Sequence, residues 1–376
     1  MKTQDMDGLI KKILFIVKLP PPVTGATLMN KSIYYGIAKL GKYETTLISA
    51  NYAESVADLG RYSINKIGTY FRVLSDLIGN IIKNKPDLIY FQISPTGLPF
   101  MRDSILTLII KIFRIEIIYH LHGLGIEESI TKHKIINAYY RIIFKGTNVI
   151  CLSDSLTYDT EKLKVKRTYV VNNGIPEITY DRPRFVSGNR INILFLSNMI
   201  RSKGLLLYVE TIKLLQRKNI YDFMSYVVGE EGDISKEALL KIIDDENLRD
   251  NMVYLGAKYA EEKADILRKA DILIYPSLKD AFPCTVLEAL QAGTACITSN
   301  VGALSDIIDD GETGIVIENI DPKTILEKLE SLINNKKVRK SMAKEGRKKY
   351  EEQYTLSRVV TRIQFVFDDI LKKQIG

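Results

Sequence analysis

The chain has 376 residues, 46% hydrophobic and 26% charged, a balance that excludes a disordered polymer and is too long for one ordinary core. Its net charge of +8 lies wholly in residues 1–180, where 23 Lys and Arg face 15 Asp and Glu. Such a half is either a solvated basic surface or a face for anionic lipid headgroups or a phosphate-bearing acceptor; nucleic acid is disfavoured, because no basic stretch interleaves with aromatic residues.

Strands alternate with helical patterns from the start. The first apolar run, 13–17, is five residues long, too short for a signal peptide or a membrane span. Further strands are predicted at 45–49, 88–93, 115–120, 148–152 and 168–171, with helices such as 26–40, 70–83 and 99–113 between them. The apolar stretch 105–121 is broken by Lys111, Arg114 and Glu116, so no membrane span is expected there either. Residues 174–189, with two prolines and two glycines, read as a linker. A second series follows, with strands at 191–196, 223–228, 252–255, 272–275, 295–298 and 313–317. The predicted helices are 205–216, 237–245, 260–269 and 286–291, and the chain is helical and charged from Pro322. The pattern predicts an α/β protein of two Rossmann-like domains, 1–174 and 190–355, joined by 175–189, with a C-terminal helix in 356–376. Cys151, Cys284 and Cys296 show no metal or disulfide spacing, and suit a reducing cytoplasm.

Ligands of open α/β sheets bind at the carboxyl ends of strands, so the loops there hold the candidate residues. After the first strand, Pro20-Pro21-Pro22-Val23-Thr24-Gly25 is either a stiff turn or a place where Gly25 lets a ligand approach the backbone. It lacks the spacing of a dinucleotide fingerprint. His122 lies just beyond the strand ending at His120, as a structural or a site histidine. The loop Ser197-Asn198-Met199-Ile200-Arg201-Ser202-Lys203-Gly204 sets two cations before a helix, a cradle for a diphosphate, with Lys203 expected to be exposed. In Tyr275-Pro276-Ser277-Leu278-Lys279-Asp280, a strand gives way to a loop carrying an acid. Thr285-x-x-Glu288 then reads as a capping box, Thr285 capping the helix and Glu288 returning to its backbone. Asp309-Asp310 read as turn residues before Gly311, and no metal-binding acidic cluster is expected.

The block 270–314, ADILIYPSLKDAFPCTVLEALQAGTACITSNVGALSDIIDDGETG, resembles the signature of retaining glycosyltransferase family 4, the glycosyl transferases group 1. The resemblance covers nearly the whole chain, carried in the first half by the loop 20–25, His122-Gly123 and Asn173-Gly174-Ile175. It implies the GT-B fold, two Rossmann-like domains facing each other across a deep cleft, and a C-terminal helix that returns to the first domain. It also implies roles. Glu288 holds the donor ribose and Asp280 the hydroxyls of the transferred sugar. Lys203 steadies the diphosphate, and the amides of Thr285 and Val286 meet its phosphates. Lys258 lies where the base is recognised, Gly25 in the loop facing donor and acceptor, and His122 near the donor sugar. Two departures stand out: Ser197-Asn198 replaces the usual Gly-Arg, which leaves Asn198 in the donor loop and Arg201 as a substitute cation, and Asp280 replaces the commoner Glu.

The implied activity is retaining, metal-independent transfer of a hexosyl unit from a nucleoside diphosphate sugar, a UDP-sugar before a GDP-sugar, to an acceptor hydroxyl. No cofactor is implied. The acceptor would be a glycan or a lipid-linked glycan in bacterial surface polysaccharide or glycolipid biosynthesis. The protein would be cytoplasmic, peripheral at the inner face of the plasma membrane through its basic N-terminal domain. The alternatives are a GT-B sugar-nucleotide epimerase and a non-catalytic sugar-nucleotide-binding protein.

Overall fold

The computed structural model describes residues 10–52, 64–178, 190–218, 220 and 222–372. It divides into two compact units, residues 1–173 with 356–376, and residues 174–355. Most of the expected linker, residues 179–189, lies outside the described residues.

The first unit runs β1 (Lys12–Val17), α1 (Gly25–Lys39), β2 (Glu44–Ser49), α2 (Ile64–Asn84), β3 (Leu88–Phe91), α3 (Gly97–Ile112), β4 (Glu116–His120), α4 (Ile126–Lys132), α5 (Lys134–Phe144), β5 (Asn148–Cys151), α6 (Tyr158–Glu161) and β6 (Arg167–Val170). Its sheet is parallel throughout, in the order β2-β1-β3-β4-β5-β6. Residues 13–17 of β1 are all buried, as an unbroken apolar run must be when helices cover both faces of a parallel sheet.

The second unit runs β7 (Ile191–Leu196), α7 (Leu205–Arg217), β8 (Phe223–Val228), α8 (Lys236–Asp245), β9 (Met252–Tyr254), α9 (Ala260–Lys269), β10 (Ile272–Tyr275), α10 (Cys284–Ala292), β11 (Ala295–Ser299), α11 (Leu304–Ile307), β12 (Ile315–Ile317), α12 (Pro322–Asn334) and α13 (Lys336–Gln353). Its six parallel strands are ordered β12-β11-β10-β7-β8-β9. The order reverses between β7 and β10, the first and fourth strands of the unit. That reversal opens a crevice at their carboxyl ends, where ligands of such sheets bind.

The last helix, α14 (Leu356–Lys372), belongs to the first unit. Phe367 packs edge-on against Phe15, Tyr43 and Tyr90. Asp368 accepts from Lys42 and the Tyr43 hydroxyl, each at 2.6 Å, and Asp369 accepts from Arg167 at 2.5 Å.

Several expectations shift. Helices α4 and α5 are not in the sequence reading, and α10 opens at Cys284, two residues before the predicted start. β12 is three residues long, because residues 309–314 form a turn in which the Asp309 amide donates to Thr313 Oγ1 at 2.8 Å. Among the described residues no helix is long and apolar enough to cross a membrane.

Candidate active site

Strands β7 and β10 pair in parallel, Ile193 beside Ile272 and Leu194 beside Leu273, so the loops that follow them leave the sheet side by side. Backbone bonds stitch these loops together: Leu278 N and Ser277 Oγ both donate to Ser202 O, at 2.8 and 3.3 Å. Gly204 ends the first loop at φ +81°, and a Cβ there would lie 2.1 Å from the Pro276 carbonyl oxygen. Only glycine permits both that backbone and that approach.

The stitching brings Lys203 to Asp280. The Lys203 ammonium donates to Asp280 Oδ2 at 2.5 Å, and the Tyr275 hydroxyl donates to the same oxygen at 2.6 Å. Asp280 Oδ1 accepts from the amide of Ala281 at 2.9 Å. Tyr275 is buried; desolvation first, then the Asp280 charge, push its pKa well above the ordinary range, so it stays a donor. Lys203 was expected to be exposed and is instead half-buried and ion-paired. Gly302, at φ +62°, lets the backbone of Asp280 approach to where a Cβ would meet its carbonyl oxygen at 2.2 Å.

The capping box at Thr285 does not form. Pro283 is the N-cap, so Thr285 is the second residue of α10, and the N-cap side chain makes no capping bond. Helix periodicity then turns Glu288 toward α9, where its carboxylate accepts from Lys263 at 2.5 Å. Burial first, then the fields of Glu288 and Asp280, push the Cys284 thiol up to about 12. Both carboxylates therefore bear on one thiol, and that thiol is inert as a nucleophile. The Val286 amide bonds to Pro283 O at 3.2 Å, while the uncapped start of α10 keeps the positive end of the helix open to an anion.

The other candidates of this unit lie on the loops after β7 and β9. Asn198 Oδ1 accepts from Glu230 N at 3.3 Å, tying the loop after β7 to the loop after β8. Arg201 is exposed; its amide is held by Asp233 Oδ1 at 2.7 Å, and its guanidinium has no ion pair among the described residues. Lys258, between β9 and α9, pairs with Glu262 at 3.1 Å. Lys263 was missed by the sequence reading; it is one of several charges in a polar helix, and only the fold shows which one meets Glu288.

Gly25 and His122 are in the first unit. Gly25 opens α1 behind a reciprocal cap, Thr24 N donating to Thr27 Oγ1 at 2.9 Å and Thr27 N to Thr24 Oγ1 at 3.2 Å. His122 lies against His120, with ring centroids 4.2 Å apart, and among the described residues neither of its buried ring nitrogens has a hydrogen-bond partner. Burial, then the Lys18 ammonium, hold its pKa down to about 3, so the ring is neutral. His120 bonds to the Tyr90 hydroxyl, marking it as a structural histidine.

Two doubly wound parallel units, with an ion-paired lysine and carboxylate at the switch point of the second, give the fold class called GT-B. Residues 178–349 match the family model described as glycosyl transferases group 1. Among sequence relatives, an uncharacterized glycosyltransferase of Methanocaldococcus jannaschii is 26% identical over 65% of this chain and 67% of its own length. The Escherichia coli UDP-Gal:α-D-GlcNAc-diphosphoundecaprenol α-1,3-galactosyltransferase is 24% identical over 68% of this chain and 69% of its own. The sucrose-phosphate synthase structure from Thermosynechococcus elongatus superposes with a TM-score of 0.75, covering 96% of this chain and all of that one. At 14% identity this last likeness speaks to the fold alone.

Proposed function

We propose that the protein transfers a hexosyl unit, with retention of anomeric configuration and without a metal ion, from a nucleoside diphosphate sugar to an acceptor hydroxyl. The observation that carries this reading is the Lys203–Asp280 pair beside the uncapped start of α10, with Glu288 close by. A sugar diphosphate presents hydroxyls to be accepted and phosphates to be neutralised, and this cluster offers a partner for each.

In the structure Asp280 holds Lys203, and Glu288 holds Lys263. Donor binding exchanges partners. A sugar hydroxyl takes the place of Lys203 on Asp280, and the ribose hydroxyls take the place of Lys263 on Glu288. The released Lys203 then turns to the diphosphate, with Arg201 and the α10 amides. The acceptor oxygen bonds to the anomeric carbon on the face from which the diphosphate leaves. As the bond from that carbon to the β-phosphate oxygen breaks, the acceptor proton passes to the leaving phosphate. Negative charge grows on that phosphate, and preorganised cations and helix amides lower the barrier by meeting it there. The two side-chain cations carry the role a metal ion would otherwise have. By the family resemblance, Lys258 lies near the base and Asn198 in the donor loop.

The E. coli relative's name supports a UDP-sugar donor, ahead of a GDP-sugar, and a lipid-linked glycan acceptor. Such an acceptor would place the protein in surface polysaccharide or glycolipid biosynthesis, peripheral at the inner face of the plasma membrane. The test is incubation of the purified chain with UDP- and GDP-sugars and a diphospholipid-linked glycan, following nucleoside diphosphate release and the anomeric configuration of the product. Release coupled to an α-linked product from an α-linked donor supports the reading. Free sugar without acceptor dependence, or an inverted product, refutes it.

A further inference from the structure

Helix α3 carries an apolar stripe on its outer side. Leu98, Met101, Ile105, Leu108 and Ile112 recur at alternating steps of three and four, and all five are exposed, Ile112 by 76%. Their opposites, Phe100, Leu106 and Ile110, are buried in the core, so the helix is apolar on both sides. The outer stripe runs about 21 Å. An exposed apolar ridge of this length is unusual on a folded surface and marks a place of contact.

The neighbouring helix extends it. Phe100 stacks on Tyr140 with centroids 3.9 Å apart, and Lys111 Nζ donates to the carbonyls of Ile142 and Lys145 at 2.7 and 2.8 Å, which locks α3 to the end of α5. On α5, Ile135 and Ile142 stand two turns apart on one face, 86% and 56% exposed. Residues 132–145 hold four Lys and Arg and no acid, and residues 97–114 hold one acid, Asp103, which is buried and engaged by Arg102. Arg114, Lys134, Arg141 and Lys145 have no ion-pair partner among the described residues.

We infer that the α3–α5 face is a docking surface for an anionic phospholipid bilayer, the apolar stripe entering the headgroup boundary and the cations meeting lipid phosphates. An apolar ridge rimmed by unpaired cations is the composition of an interfacial helix. A second copy of the chain fits poorly, because a twofold contact would set these cations against themselves. The inference rests on the proposed lipid-linked acceptor for its purpose, while the face itself stands on exposure and charge. Helix α13 is the competing basic surface, with Lys337 and Lys340 exposed, but its one large exposed apolar residue is Val338.

Co-sedimentation of the purified full chain with phosphatidylglycerol or phosphatidylcholine vesicles tests it. The wild type should pellet with the anionic vesicles only, and release as salt rises. Lys134→Gln with Arg141→Gln should weaken binding about fivefold for each cation removed. Ile105→Glu with Ile112→Glu should abolish it, and Ile105→Leu with Ile112→Leu should retain it, at unchanged melting temperature. The inference is overturned if the wild type stays in the supernatant with both vesicles or if the Glu pair binds normally. Equal loss in Lys337→Gln with Lys340→Gln also overturns it, as does a wild-type dimer that the Glu pair splits. Failure of the sugar-transfer reading appears separately, as no nucleoside diphosphate release in detergent solution without vesicles.

Discussion

Replacing Asp280 with Asn is the sharpest perturbation of the switch-point cluster. The carboxylate receives three donors, Lys203, Tyr275 and Ala281, and the first two share one oxygen. The amide keeps one oxygen for Lys203 and Tyr275, loses the charge, and turns a donor toward the Ala281 amide. Charge-assisted bonds contribute about 1.5–3 kcal/mol, and a retained neutral bond recovers about 1 kcal/mol. Lys203 is only half-buried, so solvent screens part of the loss, and a net destabilisation of about 1–2 kcal/mol is expected. For a cooperative unit of this size that is a fall of about 2–8 °C in Tm. Transfer should slow about ten- to a hundredfold, because a sugar hydroxyl loses its charged acceptor. Binding of the bare nucleoside diphosphate should hold or strengthen, since Lys203 is freed from its carboxylate. Calorimetric unfolding, a nucleotide titration and initial rates read all three. An unchanged Tm together with an unchanged rate would mean that the cluster neither holds the loops nor touches the sugar.

Glu288→Gln should weaken donor binding about tenfold while Lys263→Met leaves it equal or tighter, by removing the rival partner of the carboxylate; wild-type donor affinity in Glu288→Gln would restrict this residue to the α9–α10 ion pair. His122 stays neutral in the folded chain down to about pH 3, whereas its ordinary value is 6.5. The unfolded chain therefore binds the proton first, so stability is complete above pH 6.5 and drains as pH falls toward 3. At pH 5 the loss is about 2 kcal/mol, and His122→Gln should flatten Tm against pH in that window. Parallel curves for the two proteins would show that the imidazole is solvated.

The apolar runs ILFIV of β1 and ILIY of β10 were legible as buried parallel strands because nothing polar interrupts them. The boundary of α10 was not. The sequence of Thr285 and Glu288 satisfies a local capping rule, yet Pro283 caps the helix and Glu288 finds a partner 25 positions away on α9. A local pattern cannot report a tertiary neighbour. Lys203 was misjudged for the same reason, since its burial depends on a carboxylate brought in by β10. Helices α4 and α5 escaped notice because the helical period breaks at the extended His133 between them. The stripe on α3 was hidden by the apolar residues of its inner face, which leave no hydrophobic asymmetry for a sequence to display.

The proposed function requires the loops after β7 and β10 to grip the diphosphate of a sugar nucleotide, with Lys203 as the principal cation. Titration calorimetry of UDP, GDP and ADP into the wild type and Lys203→Ala tests it most directly. One nucleotide should bind the wild type, and Lys203→Ala should weaken that binding about ten- to a hundredfold, the loss of one charge-assisted contact. Absence of binding by all three nucleotides, or equal affinity in the two proteins, would contradict it.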